Sequence, residues 1–346
     1  MQKELLIDKL PTAFCHASTI AALDGVAGVT HVVCWFGGSH EGADDVGIYL
    51  SVQREGNWSS PQLVVQVDEP CWNPVLYVHN SAKPRLSLFY KQGRAIADWK
   101  TYVITLTLVE SGELHLSPTR ELIAGDASGG RGPVRNKLLR LRNGRLLAGG
   151  SVERGIWTAF ADISDDDGVT WRKSTTIAIP RLTYNEGEKT AESTIEVSQQ
   201  SFFGRGVIQP SLWQSEGGSV HMLLRSSEGY VYRSDSQDNG ATWCDAYPLA
   251  IPNNNSGLDL VQTPQGDLYL VCNPVEANWG QRSPLSLFVS HDDGASWRRL
   301  FDLESGEGEY SYPAIICHDG ELEITYTYNR QNIAHVVCAL KELTLY

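Results

Sequence analysis

Two arginines in this sequence are placed as an anion-binding pair would be. Arg225 and Arg282 lie in the segments HMLLRS and QRSPLSLFVS, each a short distance before a Ser-x-Asp-x-Gly pattern. Two arginine side chains can hold one carboxylate through paired, charge-assisted hydrogen bonds. His16 can donate to the same carboxylate, or act as an acid or base near neutral pH. These three residues predict a site for a ligand that carries a carboxylate.

Carboxyl groups suited to acid–base chemistry are concentrated in residues 41–45. Glu41 and Asp45 are four residues apart on a loop that contains glycine. Either is a candidate general acid, provided that partial burial raises its pKa. Asp44, next to Asp45, is more typical of a solvated side chain.

A repeated turn indicates the elements that must position these side chains. The pattern Ser-x-Asp-x-Gly-x-[Thr/Ser]-Trp occurs at 164–171, 236–243 and 290–297, and a partial copy lies at 51–58. Asp and Ser bond backbone N–H groups inside a tight turn, Gly supplies a positive φ, and Trp packs back onto the strand. A turn reused at the same point of successive units indicates a repeat protein.

Short turns ahead of apolar segments form a second recurrence. They are Asp24-Gly25, Asn143-Gly144, Gly217-Gly218, Gln265-Gly266 and Asp319-Gly320. The segment around Lys83-Pro84 fills the gap between the first two. Six hairpins, roughly fifty to seventy residues apart, predict an all-β, six-bladed β-propeller that forms one domain over residues 1–346. Loops from every blade then converge at one end of the central channel.

Further candidate residues lie beside the predicted inner strands and away from the Asp-containing turns. They are Asn73, Asn136, Lys137, Gln209, Asp259, Glu309, Tyr310 and Tyr312. Asn136 and Lys137 are plausible substrate contacts, whereas Asn73 and Asp259 are equally typical of turn caps. Tyr312 is more typical of a core aromatic residue. The segment 181–200, in the long link before Ile208, is predicted to lie over the face of the ring or to extend its edge.

Composition excludes some classes of partner. The formal net charge of −13 argues against nucleic acid and against anionic membrane surfaces, although a local arginine cluster can override it. No run of residues is long and apolar enough to span a bilayer, and MQKELLIDKL lacks the apolar core of a signal peptide. The seven scattered cysteines lack C-x-x-C spacing, so no zinc site is expected. We expect a cytoplasmic protein without a metal or organic cofactor.

The chain resembles the sialidase superfamily, in the branch labelled predicted neuraminidases. The resemblance covers nearly the whole chain and is carried by the blocks WFGGSHEGADD, PCWNPVLY, IPNNNSGLD and GEYSYPAI. The repeated turns correspond to the Asp-boxes, or BNR repeats, of that superfamily. The resemblance implies a six-bladed propeller, in agreement with the hairpin count.

The resemblance also implies roles for individual residues. Sialidases hold a carboxylate with three arginines and use a tyrosine nucleophile paired with a glutamate, together with an aspartate acid/base. The second and third arginines correspond to Arg225 and Arg282, and the nucleophile to Tyr310 in EYSYP. His16 stands in place of the first arginine, and Gln209 in place of the activating glutamate. The acid/base corresponds to the acidic loop described above.

Three functions remain open at this point, all with an acidic glycan as partner. The first is an exo-acting glycoside hydrolase of sialidase type, with His16 and the arginines binding the carboxylate. In it, Tyr310 is the nucleophile or stabilises a cation, and Glu41 or Asp45 is the acid. The second is a polysaccharide lyase, in which His16 or Tyr310 removes the proton α to a uronic-acid carboxylate. The third is a non-catalytic carbohydrate-binding propeller.

Overall fold

The computed structural model describes residues 1–26, 28–79, 85–109, 114–180, 182 and 204–343. These residues form β-strands joined by turns, with one 3-10 helix (Ile96–Asp98) and one four-residue α-helix, α1 (Leu340–Leu343). The all-β prediction is confirmed. Within the described part of the chain, no helix combines the length and apolarity that crossing a membrane requires. The segment 181–200, predicted to lie over or beside the ring, is outside the described residues except for Leu182.

The described residues contain 26 strands. The first thirteen are β1 (Gln2–Leu5), β2 (Phe14–Val26), β3 (Val29–Gly38), β4 (Gly47–Arg54), β5 (Asn57–Trp58), β6 (Gln62–Val65), β7 (Cys71–Val78), β8 (Arg85–Gln92), β9 (Lys100–Leu108), β10 (Leu114–Leu116), β11 (Arg120–Glu121), β12 (Leu139–Arg140) and β13 (Leu146–Arg154). The others are β14 (Ile156–Ser164), β15 (Arg172–Lys173), β16 (Arg205–Gln214), β17 (Val220–Ser226), β18 (Tyr230–Ser236), β19 (Tyr247–Pro252), β20 (Asp259–Gln262), β21 (Leu268–Cys272), β22 (Leu285–Ser290), β23 (Arg298–Glu304), β24 (Tyr310–His318), β25 (Glu321–Tyr328) and β26 (Asn332–Ala339).

These strands form five hydrogen-bonded sheets in the described part of the chain. Three have the orders β2-β3-β4-β5, β7-β8-β9-β10 and β20-β21-β22-β23, with β6 beside β4 and β11 beside β9. A fourth has the order β1-β26-β25-β24, so the N-terminal strand completes the C-terminal sheet. The fifth has eight strands, in the order β12-β13-β14-β16-β17-β18-β19 with β15 beside β14.

The eight-stranded sheet consists of two antiparallel groups joined by one short parallel contact. Ile156 and Trp157 of β14 pair with Arg205 and Gly206 of β16. Gly206 has φ 140°, and a Cβ at this position would lie 2.2 Å from the Trp157 carbonyl oxygen. The two backbones can therefore approach this closely only because residue 206 has no side chain.

The core lies between the faces of neighbouring sheets. The strand β3 is buried along almost its whole length, which explains its nearly continuous apolar sequence. Phe36, Leu50 and Leu88 pack together where the first two sheets meet. All seven cysteines are free, and five of them are buried, as expected for small apolar side chains.

The three full copies of the repeated turn have the predicted structure. In the first, Gly168 N donates to Ser164 Oγ at 2.8 Å, and Thr170 N donates to Asp166 Oδ1 at 2.8 Å. Trp171 Nε1 donates to the Gly168 carbonyl at 3.1 Å, which folds the indole back over the turn. The other two copies repeat the Gly-to-Ser and Asp bonds. These residues serve the fold, as expected.

Most of the short turns are also confirmed. Asn143-Gly144, Gly217-Gly218, Gln265-Gly266 and Asp319-Gly320 precede β13, β17, β21 and β25, with at most one residue between turn and strand. The turn predicted at Asp24-Gly25 is wrong, because β2 continues to Val26 and pairs there with Val29. Lys83-Pro84 lies outside the described residues.

Four innermost strands share a β-bulge at the same place. The register shifts in β2, β7, β16 and β24 coincide with residues of positive φ, which are Ala17, Asn73, Gln209 and Tyr312, at 54°, 43°, 55° and 53°. A bulge adds one residue to a strand and turns the side chains that follow onto the other face. This device sets which side chains face the site described next.

Gly206→Ala is expected to lower the free energy of unfolding by about 3 kcal/mol or more, since the new Cβ would collide with backbone. Gly266→Ala is the matched control: φ is also positive, at 97°, but no atom lies within 4 Å of the new Cβ. It should cost only about 1 kcal/mol. Urea unfolding measures both, and equal losses would contradict the role of Gly206 in joining the two groups.

Candidate functional site

Tyr312 lies at the centre of a buried, arginine-lined cluster. It occupies the bulge of β24, and only 9% of its surface is exposed. Its phenol oxygen accepts a hydrogen bond of 2.8 Å from Arg225 Nη1. The bulge, followed by Pro313, aims this side chain away from the packing of its own sheet.

Three guanidinium groups surround the Tyr312 ring. The central carbons of Arg135, Arg225 and Arg282 lie 5.3, 5.8 and 5.3 Å from the ring centroid. They come from the segment before β12, the end of β17 and the loop before β22. Guanidinium groups favour aromatic faces and planar carboxylates, so three that converge in this way have the chemistry to bind an anion. The structure thus brings together the two predicted arginines and adds Arg135.

Arg225 is buried among neutral acceptors. Its Nε donates to Asn255 Oδ1 at 2.8 Å, and its Nη1 donates to Gln209 Oε1 at 3.2 Å as well as to the phenol. The half-buried Trp279 ring lies 5.3 Å from the guanidinium carbon. None of these groups carries a negative charge that would balance the cation. A carboxylate ligand would supply one.

Arg135 is also buried, and its bonds go to neutral oxygens. Its Nη1 donates to Asn136 Oδ1 at 2.9 Å and its Nη2 donates to the Pro313 carbonyl at 2.7 Å. Its Nε has no hydrogen-bond partner among the described residues. Burial lowers the pKa of Arg135 to about 10, so the group is still charged at neutral pH.

His16 lies against Tyr312 as a neutral imidazole. The two ring centroids are 4.3 Å apart, and Nδ1 is 2.9 Å from Thr327 Oγ1. Burial, together with the nearby arginines, holds the pKa of His16 well below its usual range. Its Nε2 is buried without a hydrogen-bond partner among the described residues. His16 is thus available to a ligand, but as a neutral base or donor rather than as a cation.

Glu309 carries the negative charge at one edge of the cluster. Arg282 Nη1 donates to its Oε1 at 2.7 Å, and Arg330 Nε lies 2.9 Å from both of its oxygens. Burial would raise the pKa of Glu309, but Arg282 and Arg330 outweigh burial and lower it. Arg330 also bonds Glu41, which places that predicted acid in an ion pair at the rim.

The structure places Tyr310 outside this cluster, which corrects its assignment as the nucleophile. Its hydroxyl donates to the Glu307 carbonyl at 3.1 Å, and its ring packs 5.2 Å from that of Tyr328. In a regular strand Tyr310 and Tyr312 would share one face. The bulge between Ser311 and Ala314 adds a residue, so the two tyrosines pack in different clusters.

Asp45 is a loop-capping residue, which corrects its assignment as a general acid. Its carboxylate accepts bonds of 3.1 and 3.0 Å from Ser39 N and one of 2.9 Å from Ser39 Oγ. Bonding to the Ser39 backbone lowers the pKa of Asp45. A lowered pKa keeps the group ionised at neutral pH, the opposite of what a proton donor needs. Asp44 is exposed and pairs with Arg94.

Three predicted substrate contacts are occupied by bonds within the protein. Asn136 Nδ2 donates to the carbonyls of Gln209 and Pro210, both at 3.1 Å. Lys137 Nζ bonds Asp259 Oδ2 at 2.7 Å, and both oxygens of Asp259 also accept bonds from other strands. These residues hold the site in place. Asn73 is buried in the bulge of β7. Its position is equivalent to that of Gln209 in the bulge of β16 and of Tyr312 in the bulge of β24.

Glu153 is a buried carboxyl group that sequence reasoning missed. Burial raises its pKa, although the charges of Arg225 and Lys91 act in the opposite direction. Lys91 is fully buried, and burial lowers its pKa to about 7. Charged residues in strands are normally exposed, so the sequence around either residue carries no signal for this pair.

One sequence signal could have found Tyr312. The dipeptides Asn73-Pro74, Gln209-Pro210 and Tyr312-Pro313 each fall in an inner strand at the bulge. Proline cannot donate to a ladder and is tolerated in a sheet mainly at edges and bulges. This recurrence marks Tyr312 as equivalent to Gln209. No comparable pattern points to Arg330.

The arrangement of sheets and turns agrees with a known family. The sequence profile of the family described as BNR repeat-like domain matches residues 30–324. The chain belongs to this BNR repeat-like family. No curated protein matches it closely enough to be counted as a relative.

Solved structures of low sequence identity share the fold. A Hadza microbial sialidase aligns with a TM-score of 0.73 and 13% identity, over 96% of this chain and 66% of its own. Trypanosoma rangeli sialidase in complex with sialic acid aligns with a TM-score of 0.72 and 13% identity, over 99% of this chain and 59% of its own. A protein of unknown function from Dyadobacter fermentans aligns with a TM-score of 0.74 and 13% identity, over 97% of both chains. The chain therefore shares its fold with these proteins, and it spans less than two thirds of the two sialidases.

Arg225→Met should destabilise this protein less than Arg131→Met does. Arg131 bonds Asp162 through two nitrogens, and Asp162 is fully buried. Its loss leaves a buried, unpaired carboxylate, which costs about 3–5 kcal/mol. Loss of Arg225 leaves neutral hydrogen-bond acceptors and relieves repulsion between cations, and burial already raises the pKa of the Glu153 carboxyl group towards its neutral form. Urea unfolding compares the variants, and an equal or larger loss for Arg225→Met would contradict the proposed charge imbalance.

Proposed function

We propose that this protein is an exo-acting glycoside hydrolase that removes a terminal, carboxylate-bearing sugar from a glycan. The observation that carries the proposal is the convergence of Arg135, Arg225 and Arg282 around the Tyr312 phenol. Its sialidase-like fold supports the proposal. The presence of sialic acid in the Trypanosoma rangeli structure is a property of that protein, and it suggests the class of sugar to test.

The arginines bind the carboxylate of the sugar. Arg225 is the strongest candidate, because its hydrogen-bond partners are neutral and the pKa of the buried Glu153 carboxyl group, on which its charge acts, is raised. Arg135, and not His16 as predicted from the sequence, is the third residue that we propose to bind the carboxylate. His16 instead contributes a neutral ring beside the reacting carbon.

Tyr312 is the proposed nucleophile. A neutral phenol avoids the repulsion that a carboxylate nucleophile would meet beside the substrate's own carboxylate. The Arg225 bond to its oxygen stabilises a developing phenolate. Gln209, which also bonds Arg225, cannot accept the phenol proton, whereas the neutral ring of His16 can.

Glu41 and Glu153 are the candidate proton donors for the leaving oxygen. Glu41 lies on the predicted loop but is paired with Arg330. Glu153 is buried and has a raised pKa, which favours the protonated form that a general acid needs. Comparing Glu41→Gln with Glu153→Gln on a substrate with a poor leaving group identifies the donor, because loss of the acid slows that substrate most.

A polysaccharide lyase is the second candidate, and the state of His16 favours it. A neutral imidazole with an unpartnered Nε2 can remove the proton α to a carboxylate that the arginines neutralise. The substrate would then be a uronic-acid glycan. The hydrolase adds water to its product, whereas the lyase leaves a carbon–carbon double bond.

We also propose that the strands form six blades around one channel, in a single domain. The strand β2 contacts both β7 and β24, and β1 closes the last sheet. The eight-stranded sheet provides two of the six groups, since only two residue pairs join its halves.

The test is mass analysis of products from sialosides, other 2-keto-acid glycosides and uronic-acid oligosaccharides. We expect release of a free acidic sugar with the mass of added water. Tyr312→Phe should lower kcat by roughly 10²-fold or more, whereas Tyr310→Phe, the matched control, should change it little. The assignment fails if Tyr310→Phe is the inactive variant. A product with new ultraviolet absorbance indicates the lyase, and binding without turnover indicates a carbohydrate-binding propeller.

A further inference from the structure

Three potential metal ligands gather where the first sheet meets the last, apart from the arginine cluster. They are His31 on β3, His318 at the end of β24 and Glu323 on β25. One ligand atom from each lies within 4.8 Å of the others. Nearly the whole length of the chain separates His31 from its two neighbours, so only the tertiary structure creates this cluster.

The spacing of the three residues suits a small transition-metal ion. His31 Nε2 is 2.8 Å from Glu323 Oε1, and the His31 and His318 ring centroids are 5.8 Å apart. Bonds of about 2.0–2.1 Å around a tetrahedral zinc ion place ligand atoms about 3.3 Å from one another. The His31–Glu323 separation is below that value, and no two of the three ligand atoms are more than 4.8 Å apart. Small side-chain rotations therefore suffice to bring all three ligands onto one ion.

The hydrogen bonding of His31 leaves Nε2 as the metal-binding nitrogen. Its Nδ1 is 2.9 Å from Gln53 Oε1, which also accepts a bond of 2.9 Å from Thr30 Oγ1. Because that oxygen is an acceptor, Nδ1 donates to it, and Nε2 is the nitrogen that faces the cluster. Nε2 lies 2.8 Å from Glu323 Oε1, so in the absence of a metal the two side chains form an ion pair. A metal ion would replace the proton that they share.

Hydrogen bonds through His335 fix the orientation of the Glu323 carboxylate. Its second oxygen lies 3.1 Å from His335 Nε2, and His335 Nδ1 lies 3.0 Å from Glu4 Oε1 on β1. Glu323 is buried, with its side chain 5% exposed. Ligating carboxylates are commonly held in this way by partners that do not touch the metal.

We propose that His31, His318 and Glu323 bind a divalent first-row transition-metal ion, with Zn²⁺ the ion that fits best. Two imidazoles and one carboxylate favour zinc over Ca²⁺ and Mg²⁺, which prefer oxygen ligands. The His318 side chain is 24% exposed, so the site is open for the ion to enter and for water to complete its coordination. The ion joins β3 to β24 and β25, and thereby stabilises the contact between the first and last sheets.

The experiment is titration of the chelator-treated full chain with Zn²⁺ alone, by calorimetry, together with thermal unfolding. We expect one zinc ion per chain and a Tm that rises with zinc, because the ion binds the folded state. His318→Ala removes a partly exposed ligand. It should weaken zinc affinity by about tenfold or more and abolish the rise in Tm. Glu323→Gln keeps the side-chain shape and should also weaken binding.

His291→Ala is the matched control, because His291 is 60% exposed and pairs only at the surface with Asp267. It should bind zinc as the wild type does, and excess Ca²⁺ should not displace the ion. The proposal is overturned if the wild type takes up no zinc, or if His318→Ala binds it as tightly as the wild type. Loss of binding in His291→Ala would equally overturn it.

Discussion

The arrangement of the inner strands depends on one buried carboxylate, that of Asp259 on β20. Its Oδ1 accepts a bond of 2.6 Å from Ser211 Oγ. Its Oδ2 accepts bonds from Lys137 Nζ at 2.7 Å and Ile315 N at 3.0 Å. One side chain therefore sets the spacing of four segments that are distant in sequence, and removing it would leave the half-buried Lys137 ammonium without its carboxylate partner. Three site residues lie within three positions of these partners: Gln209, Arg135 and Tyr312.

The charge of the site is opposite to that of the protein as a whole. The chain carries a formal net charge of −13, yet three guanidinium groups meet around one phenol. Keeping Arg225 among neutral acceptors costs stability, since a buried cation is stable only when it is paired. Local departures from good packing and pairing are typical of functional sites.

Sequence reasoning was most successful for local features. The all-β class, the three Asp-containing turns and four of the glycine turns depend on interactions between residues close in the chain. Arg225 and Arg282 were predicted as ligand-binding residues from the resemblance, and the structure places both beside Tyr312, while their role in binding stays a prediction. Asp45 was misread, since a loop carboxylate can equally cap the backbone or donate a proton, and only its bonds to Ser39 distinguish the two. The count of six blades remains a prediction.

The sequence by itself therefore determined the repeat, its turns and two of the cations. The tertiary structure decided which side chains meet. A bulge in β24 separates Tyr310 from Tyr312 and brings only the second to the arginines, because one added residue reverses the face of a strand. Arg135 becomes a site residue through its contacts with Tyr312 and Pro313 on β24, which no local pattern encodes. Such contacts depend on how the inner strands are held together, and that information is spread over the whole chain.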